Sequence, residues 1–300
     1  MAPLSQTRRV RGARRVTPGA APWLPVLLLP VTVGLVLVYF SAVYGLTLGF
    51  TDWDLISSST WVGTENFAEI LDDDRFWKAL RNTLQIVAVT VPGKVAIGLG
   101  LAILLSRIRR LSSFFRLALF FPTSCSVVAV AFLWVYLYDP NGLFNSWLSA
   151  LGFDAVKWMS PDHALTSVNV MIIWGGVGYV ALLFLAGLQS IPTEYYEASR
   201  LDGASAWRQF WSITFPLLTP TTFFVVVTGI ITSLQTFGEV FILAGPMDST
   251  LTITSYIYER AFTGFEMGYS AALSAFLILI LLAATCAQLW FQRKWVTYER

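Results

Sequence analysis

TLQIVAVTVPGKVAIGLGLAILL, from Thr83 to Leu105, is 23 residues long and holds one charged side chain, Lys94. A hydrocarbon core about 30 Å thick needs about 20 apolar residues of helix to cross it. A barrel strand is about 10 residues of apolar and polar alternation, and this run is continuously apolar for twice that length. It therefore predicts a membrane-spanning helix. Outward from it, five further stretches meet the same length: Trp23 to Tyr44, Leu117 to Tyr138, Val168 to Gln189, Thr221 to Ala244 and Tyr269 to Phe291. Six spans put both chain ends on one side.

Composition agrees. Of 300 residues, 56% are hydrophobic and 13% charged, with a mean hydropathy of +0.64; a soluble domain is nearer a quarter charged. The net charge of +2, from 20 basic and 18 acidic residues, is too balanced for a nucleic-acid binder. Cys125 and Cys286 both lie in apolar runs and form no disulfide framework, and one histidine, His163, assembles no zinc site. No metal and no other cofactor is expected.

Cytoplasmic loops retain Lys and Arg during insertion. Arg8, Arg9, Arg11, Arg14 and Arg15 precede the first span, Arg107, Arg109, Arg110 and Arg116 follow the second, and Arg293, Lys294 and Arg300 follow the sixth. With Arg200 and Arg208 these make 14 on one face against five on the other. Both termini are expected in the cytoplasm, with a basic tail over 1–22, a six-helix domain over 23–291 and a tail over 292–300. The opposite face leans acidic, most clearly between Thr51 and Arg81. The basic head and first apolar run also suit a secretory signal, but 22 residues exceed the usual 7 to 15 residue core, so a retained span is expected. Trp23, Trp77, Tyr138, Trp174 and Trp290, near span ends, read as interface anchors; some aromatic rings also suit a sugar path.

Between the fourth and fifth spans, Ser190 to Phe215 reads as two short helices. Pro192 suits a first turn, with Thr193 and Glu194 near the positive end of the dipole. Gly203 suits the left-handed residue that closes a helix, and Asp202 and Ser205 both suit the cap of the next. Trp207, Phe210, Trp211 and Thr214 recur at helical spacing, which places them on one face, and Pro216 and Pro220 are expected to stop the helix before the fifth span. Such a piece either lies on lipid headgroups or inserts into a groove of a protein partner. Its mixed charge, with Glu197, Arg200 and Asp202, favours the groove.

Glu197-Ala198-Ser199, Gly203, Ile213 and Pro216 resemble the Glu-Ala-Ala, Gly, Ile, Leu-Pro signature that marks the permease subunits of bacterial ATP-binding-cassette importers, with the same spacing. Ser199 replaces the second alanine and Phe215 the leucine. The flanks Leu185 to Pro192 and Asp202 to Ser205 are similar to the carbohydrate-uptake branch, the maltose-type and glycerol-phosphate-type permeases, and likeness covers nearly the whole chain, including Phe50 to Trp53, Asn82-Thr83 and Asp139 to Gly142. After Phe237-Gly238-Glu239, Leu243 to Pro246 is shorter than the usual turn. The resemblance implies an all-α permease fold of six transmembrane helices in the bacterial inner membrane. It implies a second homologous permease, a cytoplasmic ATPase dimer and an extracytoplasmic solute-binding protein as partners, and a sugar as cargo. Glu197, Ala198, Ser199, Asp202, Gly203, Ile213 and Pro216 would form the coupling helix and its flank, with Glu197 meeting a basic residue of the ATPase.

Lys94 at membrane depth costs about 2.5 to 3.5 kcal/mol unless it faces protein or water. Glu239 is its acidic counterpart in the fifth span, although sequence does not set the second and fifth spans side by side. Both are candidates for the translocation path, with Gln85, Asn169, Gln189 and Gln235, and equally for tethers between helices. Pro92-Gly93 is expected to kink the second span. No Gly-x-x-x-x-Gly-Lys-[Ser/Thr] loop is present, so the chain is expected to be no enzyme, with ATP hydrolysed by a partner. A secondary transporter driven by an ion gradient is the alternative; it often shows repeated halves, and these halves do not recognisably repeat. A membrane enzyme would need clustered catalytic groups, and His163 reads as a solvated turn residue.

Overall fold

The computed structural model describes residues 24–108 and 112–295, with side chains over 28–108 and 113–292. The tail arginines Arg8 to Arg15 and Arg300, with Trp23, Arg109, Arg110 and the side chains of Arg293 and Lys294, lie outside that description. The chain divides near residue 45 into two units. The first holds most of α1 (Leu24–Leu48), an apolar helix that carries Pro30 within it.

The second unit begins with a short antiparallel pair, β1 (Thr51–Asp52) and β2 (Thr60–Trp61). There follow α2 (Glu65–Asp72), α3 (Asp74–Arg107), α4 (Ser112–Ser124), α5 (Val127–Leu137), α6 (Leu143–Ala150) and α7 (Ala164–Ser190). Then come α8 (Thr193–Leu201), α9 (Ala206–Gln209), a π turn (Phe210–Thr214), α10 (Phe215–Leu217), α11 (Thr219–Leu234) and α12 (Gly238–Ile242). A 3-10 turn (Pro246–Asp248), α13 (Ile253–Tyr258), a second π turn (Glu259–Thr263) and α14 (Met267–Trp295) complete it.

Among the described residues five helices, one of them the α11–α12 run, are long and apolar enough to cross a membrane, and α4 with α5 makes a sixth if a bent pair counts as one span. That pair corrects the sequence reading. The run Leu117 to Tyr138 is no single rod: its limbs meet at 95° around Cys125 and Ser126. Pro122 lies one turn before the break, the Cys125 amide folds back onto the Pro122 carbonyl at 3.2 Å, and Ser126 is extended. Conversely, the helix assigned to α3 runs unbroken through Pro92. The fifth apolar run is interrupted at Gln235 to Phe237, where α11 stops and α12 resumes.

In lipid, helices gain little from hydrophobic transfer, so close fit and hydrogen bonds hold them together. Small residues supply the fit. A Cβ at Gly98 of α3 would meet Val180 of α7 at 2.6 Å, and one at Gly178 would lie 2.5 Å from the Leu119 carbonyl carbon of α4. Around these contacts Ala102, Leu105, Phe184, Leu185, Leu218 and Val225 form one buried cluster. Tyr138 is only 4% exposed and donates to the Ser167 carbonyl at 2.8 Å; it is a core residue and not an interface anchor. Trp77, Trp174 and Trp290 are exposed.

The N-terminal end of α3 grips the segment between α12 and α13. Asp73 caps α3 by accepting from the Arg75 amide at 2.8 Å, and its other oxygen accepts from Tyr256 at 2.5 Å and Tyr269 at 2.6 Å. Burial alone would raise its pKa; the two hydroxyls and the Arg75 and Phe76 amides outweigh that and hold the carboxyl below its ordinary value. Burial, then the Asp73 contact, pushes the Tyr256 hydroxyl up to about 12. Arg75, Lys78 and Asn82, one stripe of α3, meet Asp248 and Glu259, the Met247 carbonyl, and the Asp248 and Leu251 carbonyls respectively. They hold two consecutive left-handed residues, Met247 and Asp248, each at φ 56°, a conformation that non-glycine residues adopt at a cost.

Candidate functional site

The signature residues occupy α8 to α10. Pro192 is the residue before α8 rather than a member of its first turn. Gly203 adopts φ +76°, which lets the Ala204 amide close back onto the Ser199 carbonyl at 2.9 Å. The cap of α9 is Ser205, whose hydroxyl accepts from the Arg208 amide, while Asp202 ends α8.

Of the expected face, Trp207, Phe210 and Trp211 keep their rings together, and Thr214 departs from it. The π turn, closed by the Phe215 amide on the Phe210 carbonyl, widens the helix there and alters its periodicity. Trp207 is 71% exposed, whereas Thr214 is 7% exposed and its hydroxyl meets that of Tyr196 at 2.9 Å. Pro216 and Pro220 stand in the opening turns of α10 and α11; they begin elements, because a first-turn proline forfeits no helical hydrogen bond. The rings of Trp207, Phe210, Trp211 and Phe215 pack together, with Trp211 at 5.6, 5.1 and 5.2 Å from the other three.

The signature is thus divided between anchor and exposed edge. Ile213 packs against the buried cluster, and the Ser199 hydroxyl donates to the Tyr196 carbonyl at 3.0 Å. Glu197, Ala198, Asp202 and Gly203 are exposed. Glu197 forms no ion pair among the described residues.

A half-open pocket of about 180 Å³ brings together Lys94 of α3, Gly175 and Gly176 of α7, Thr123 and Cys125 at the bend, and Glu239 of α12. Lys94 lies flat against Gly176: a Cβ there would meet Lys94 Nζ at 3.0 Å. At the bend, the Thr123 hydroxyl donates to the Gly175 carbonyl at 2.8 Å. The bent α4–α5 pair therefore supplies one wall, and Lys94 and Glu239 line one small, mostly apolar pocket without a direct ion pair among the described residues. The other polar candidates do not join them. Gln85 and Gln235 are exposed; Asn169 is buried with its Oδ1 unpaired; Gln189 lies at the α8 end.

Tertiary structure also assembles an array of rings that the sequence does not announce. Phe237, Phe241, Tyr258 and Phe262 continue from α12 through α13, each within 5.0 to 5.2 Å of the next, and the last three are exposed. Phe237 and Phe241 flank Glu239 in sequence. Their four-residue spacing is a usable signal for one pair; the meeting with Tyr258 is tertiary.

The binding-protein-dependent transport system inner membrane component family matches residues 94–297. The chain is 34% identical over 281 residues to a probable ABC transporter permease protein of Pyrococcus horikoshii, covering 91% of this chain and 96% of that one. It is 32% identical to the sn-glycerol-3-phosphate transport system permease protein of Rhizobium meliloti, covering 92% and 96%. In fold it matches a subunit of a bacterial ABC transporter involved in the import of the acidic polysaccharide alginate, with a TM-score of 0.82 over 90% of this chain and 95% of that one, at 23% identity. With its apolar helices and this match over most of its length, the chain belongs to the binding-protein-dependent transport system inner membrane components, the permeases of ABC transporters.

Proposed function

We propose that this chain is the permease subunit of an ATP-driven sugar importer in the bacterial inner membrane. It forms half of the translocation pathway with a second, homologous permease, receives solute from an extracytoplasmic binding protein and is driven by a cytoplasmic ATPase dimer. The observation that carries this reading is the divided signature: Ile213 and the Tyr196–Thr214 hydrogen bond root the segment in the bundle, while Glu197, Ala198, Asp202 and Gly203 stay exposed. A rigid knob with an unpaired carboxylate suits a groove that offers a basic side chain. Force on α8 passes through Ile213 and α10 into α11, which continues without a loop.

Cargo is assigned by chemistry and by the relatives. The array of Phe237, Phe241, Tyr258 and Phe262 offers flat faces to pyranose rings, and Lys94 with Glu239 offers a donor and an acceptor to hydroxyl groups. One cation and one carboxylate in the same pocket favour a neutral solute over an anionic one. The test is Glu197→Lys in the full complex. Assembled complex with ATP-driven uptake reduced at least tenfold is the expected result. Normal uptake would refute the coupling role.

A further inference from the structure

At the α8 end of the bundle, a cavity of about 470 Å³ lies where the last turns of α3 and α7 meet the α8–α9 segment. Arg107 of α3 and Arg200 of α8 both line it, with Gln189, Thr193, Tyr196 and Gln209 as neutral polar neighbours. No carboxylate is among its lining residues; Glu194, Glu197 and Asp202 of the same segment stand outside it. Neither arginine makes an ion pair or a side-chain hydrogen bond among the described residues. Two unpaired guanidinium groups on one cavity repel each other, and an anion between them turns that repulsion into two attractions.

We propose that this cavity binds a phosphate-bearing anion that bridges Arg107 and Arg200. The guanidinium fork matches phosphate oxygens in pairs, the amides of Gln189 and Gln209 add neutral donors, and the volume falls within the roughly 300–1,000 Å³ of ordinary small-ligand sites. The exposed rings of Trp207 and Trp211 stand on the same segment, and tryptophan is a residue type enriched at headgroup level. A phospholipid headgroup and a free phosphate share the required chemistry. Bound there, the anion pins α8 to the end of α3 and so stiffens the joint between the signature segment and a spanning helix. The site needs neither a sugar cargo nor any role for Glu197.

The test uses the full-length chain in the complex with which it leaves the membrane, delipidated in detergent. Phosphatidylglycerol is titrated against phosphate-free diacylglycerol and bound lipid is read by native mass spectrometry; in a second arm, inorganic phosphate is titrated and the thermal midpoint is read. Wild type is expected to bind phosphatidylglycerol at least tenfold more tightly than Arg107→Gln/Arg200→Gln, with diacylglycerol equal for both and the ligand-free midpoints unchanged. The Arg107→Lys/Arg200→Lys variant should fall nearer wild type. A midpoint raised by phosphate in wild type but not in the glutamine variant supports the site with the free anion as its source. Equal lipid binding by all three proteins, with no effect of phosphate on any, overturns the proposal.

Discussion

Gly178→Ala is the sharpest probe of how the bent α4–α5 pair is held. The added Cβ would stand 2.5 Å from the Leu119 carbonyl carbon and 3.3 Å from the Phe120 amide nitrogen, and its nearest neighbour is the Leu119 carbonyl oxygen. Backbone cannot turn aside as a side chain does, so α4 must withdraw from α7. Overpacking of this kind costs about 1–3 kcal/mol, and a contact with backbone belongs at the upper end. At about 2–4 °C per kcal/mol for a chain of roughly this size, the thermal midpoint should fall by about 5 °C or more. Withdrawal of α4 also loosens the Thr123 contact with Gly175 that walls the Lys94 pocket, so transport should fall with stability. Gly175→Ala, three residues earlier in the same helix, meets nothing within 4 Å and should leave the midpoint unchanged or raise it slightly, since alanine favours helix by up to about 1 kcal/mol. Both variants are measured in detergent by the fraction remaining monodisperse after heating. A Gly178→Ala midpoint within about 1 °C of wild type, well short of the expected shift, would refute the close approach of α4 to α7.

The same geometry sets three further outcomes. Arg75→Met removes the bonds to Asp248 and Glu259; because all three groups are partly exposed, the cost is about 1 kcal/mol, seen as several-fold faster proteolysis between α12 and α13, with the gap to wild type narrowing in high salt. Asp73→Asn should destabilise the chain at neutral pH. A carboxyl whose pKa is lowered by folding stabilises above its unfolded value and loses that as pH falls through the folded one, so the midpoint gap between wild type and Asp73→Asn should close below about pH 4. Lys94→Met and Glu239→Gln should each change the solute range or rate of reconstituted transport, and unchanged transport in both would remove them from the pathway.

Features that depend on neighbours in sequence were legible. Gly203 was readable because left-handed backbone needs a residue without a Cβ; the next cap was narrowed to Asp202 or Ser205, and the structure chose Ser205. The π turn was not readable: it trades one hydrogen-bond register for another at little local cost, and it sends Thr214 inward to Tyr196 while Trp207 stays outside. Pro92 and Pro122 look alike in sequence, yet the assigned helix continues through the first and breaks just after the second. Each removes one amide donor. Whether the helix then bends depends on which other groups lie within reach, such as the Gly175 carbonyl beside Thr123.

Uninterrupted apolar length alone established that this chain is helical and built for a bilayer, because only helices and closed barrels satisfy every backbone group in hydrocarbon and barrel strands are short and alternating. The charged signature between two such lengths marked the segment proposed to meet a partner. Tertiary structure decided the rest: that one apolar run is bent by 95°, that Lys94 and Glu239 share a pocket, that Phe237 and Phe241 meet Tyr258, and that Arg107 and Arg200 line one cavity. These pairs lie on different elements, and their meeting was settled by how those elements pack, as where Gly98 and Gly178 let α3 and α4 come close to α7, a distance that no single helix records in its own sequence.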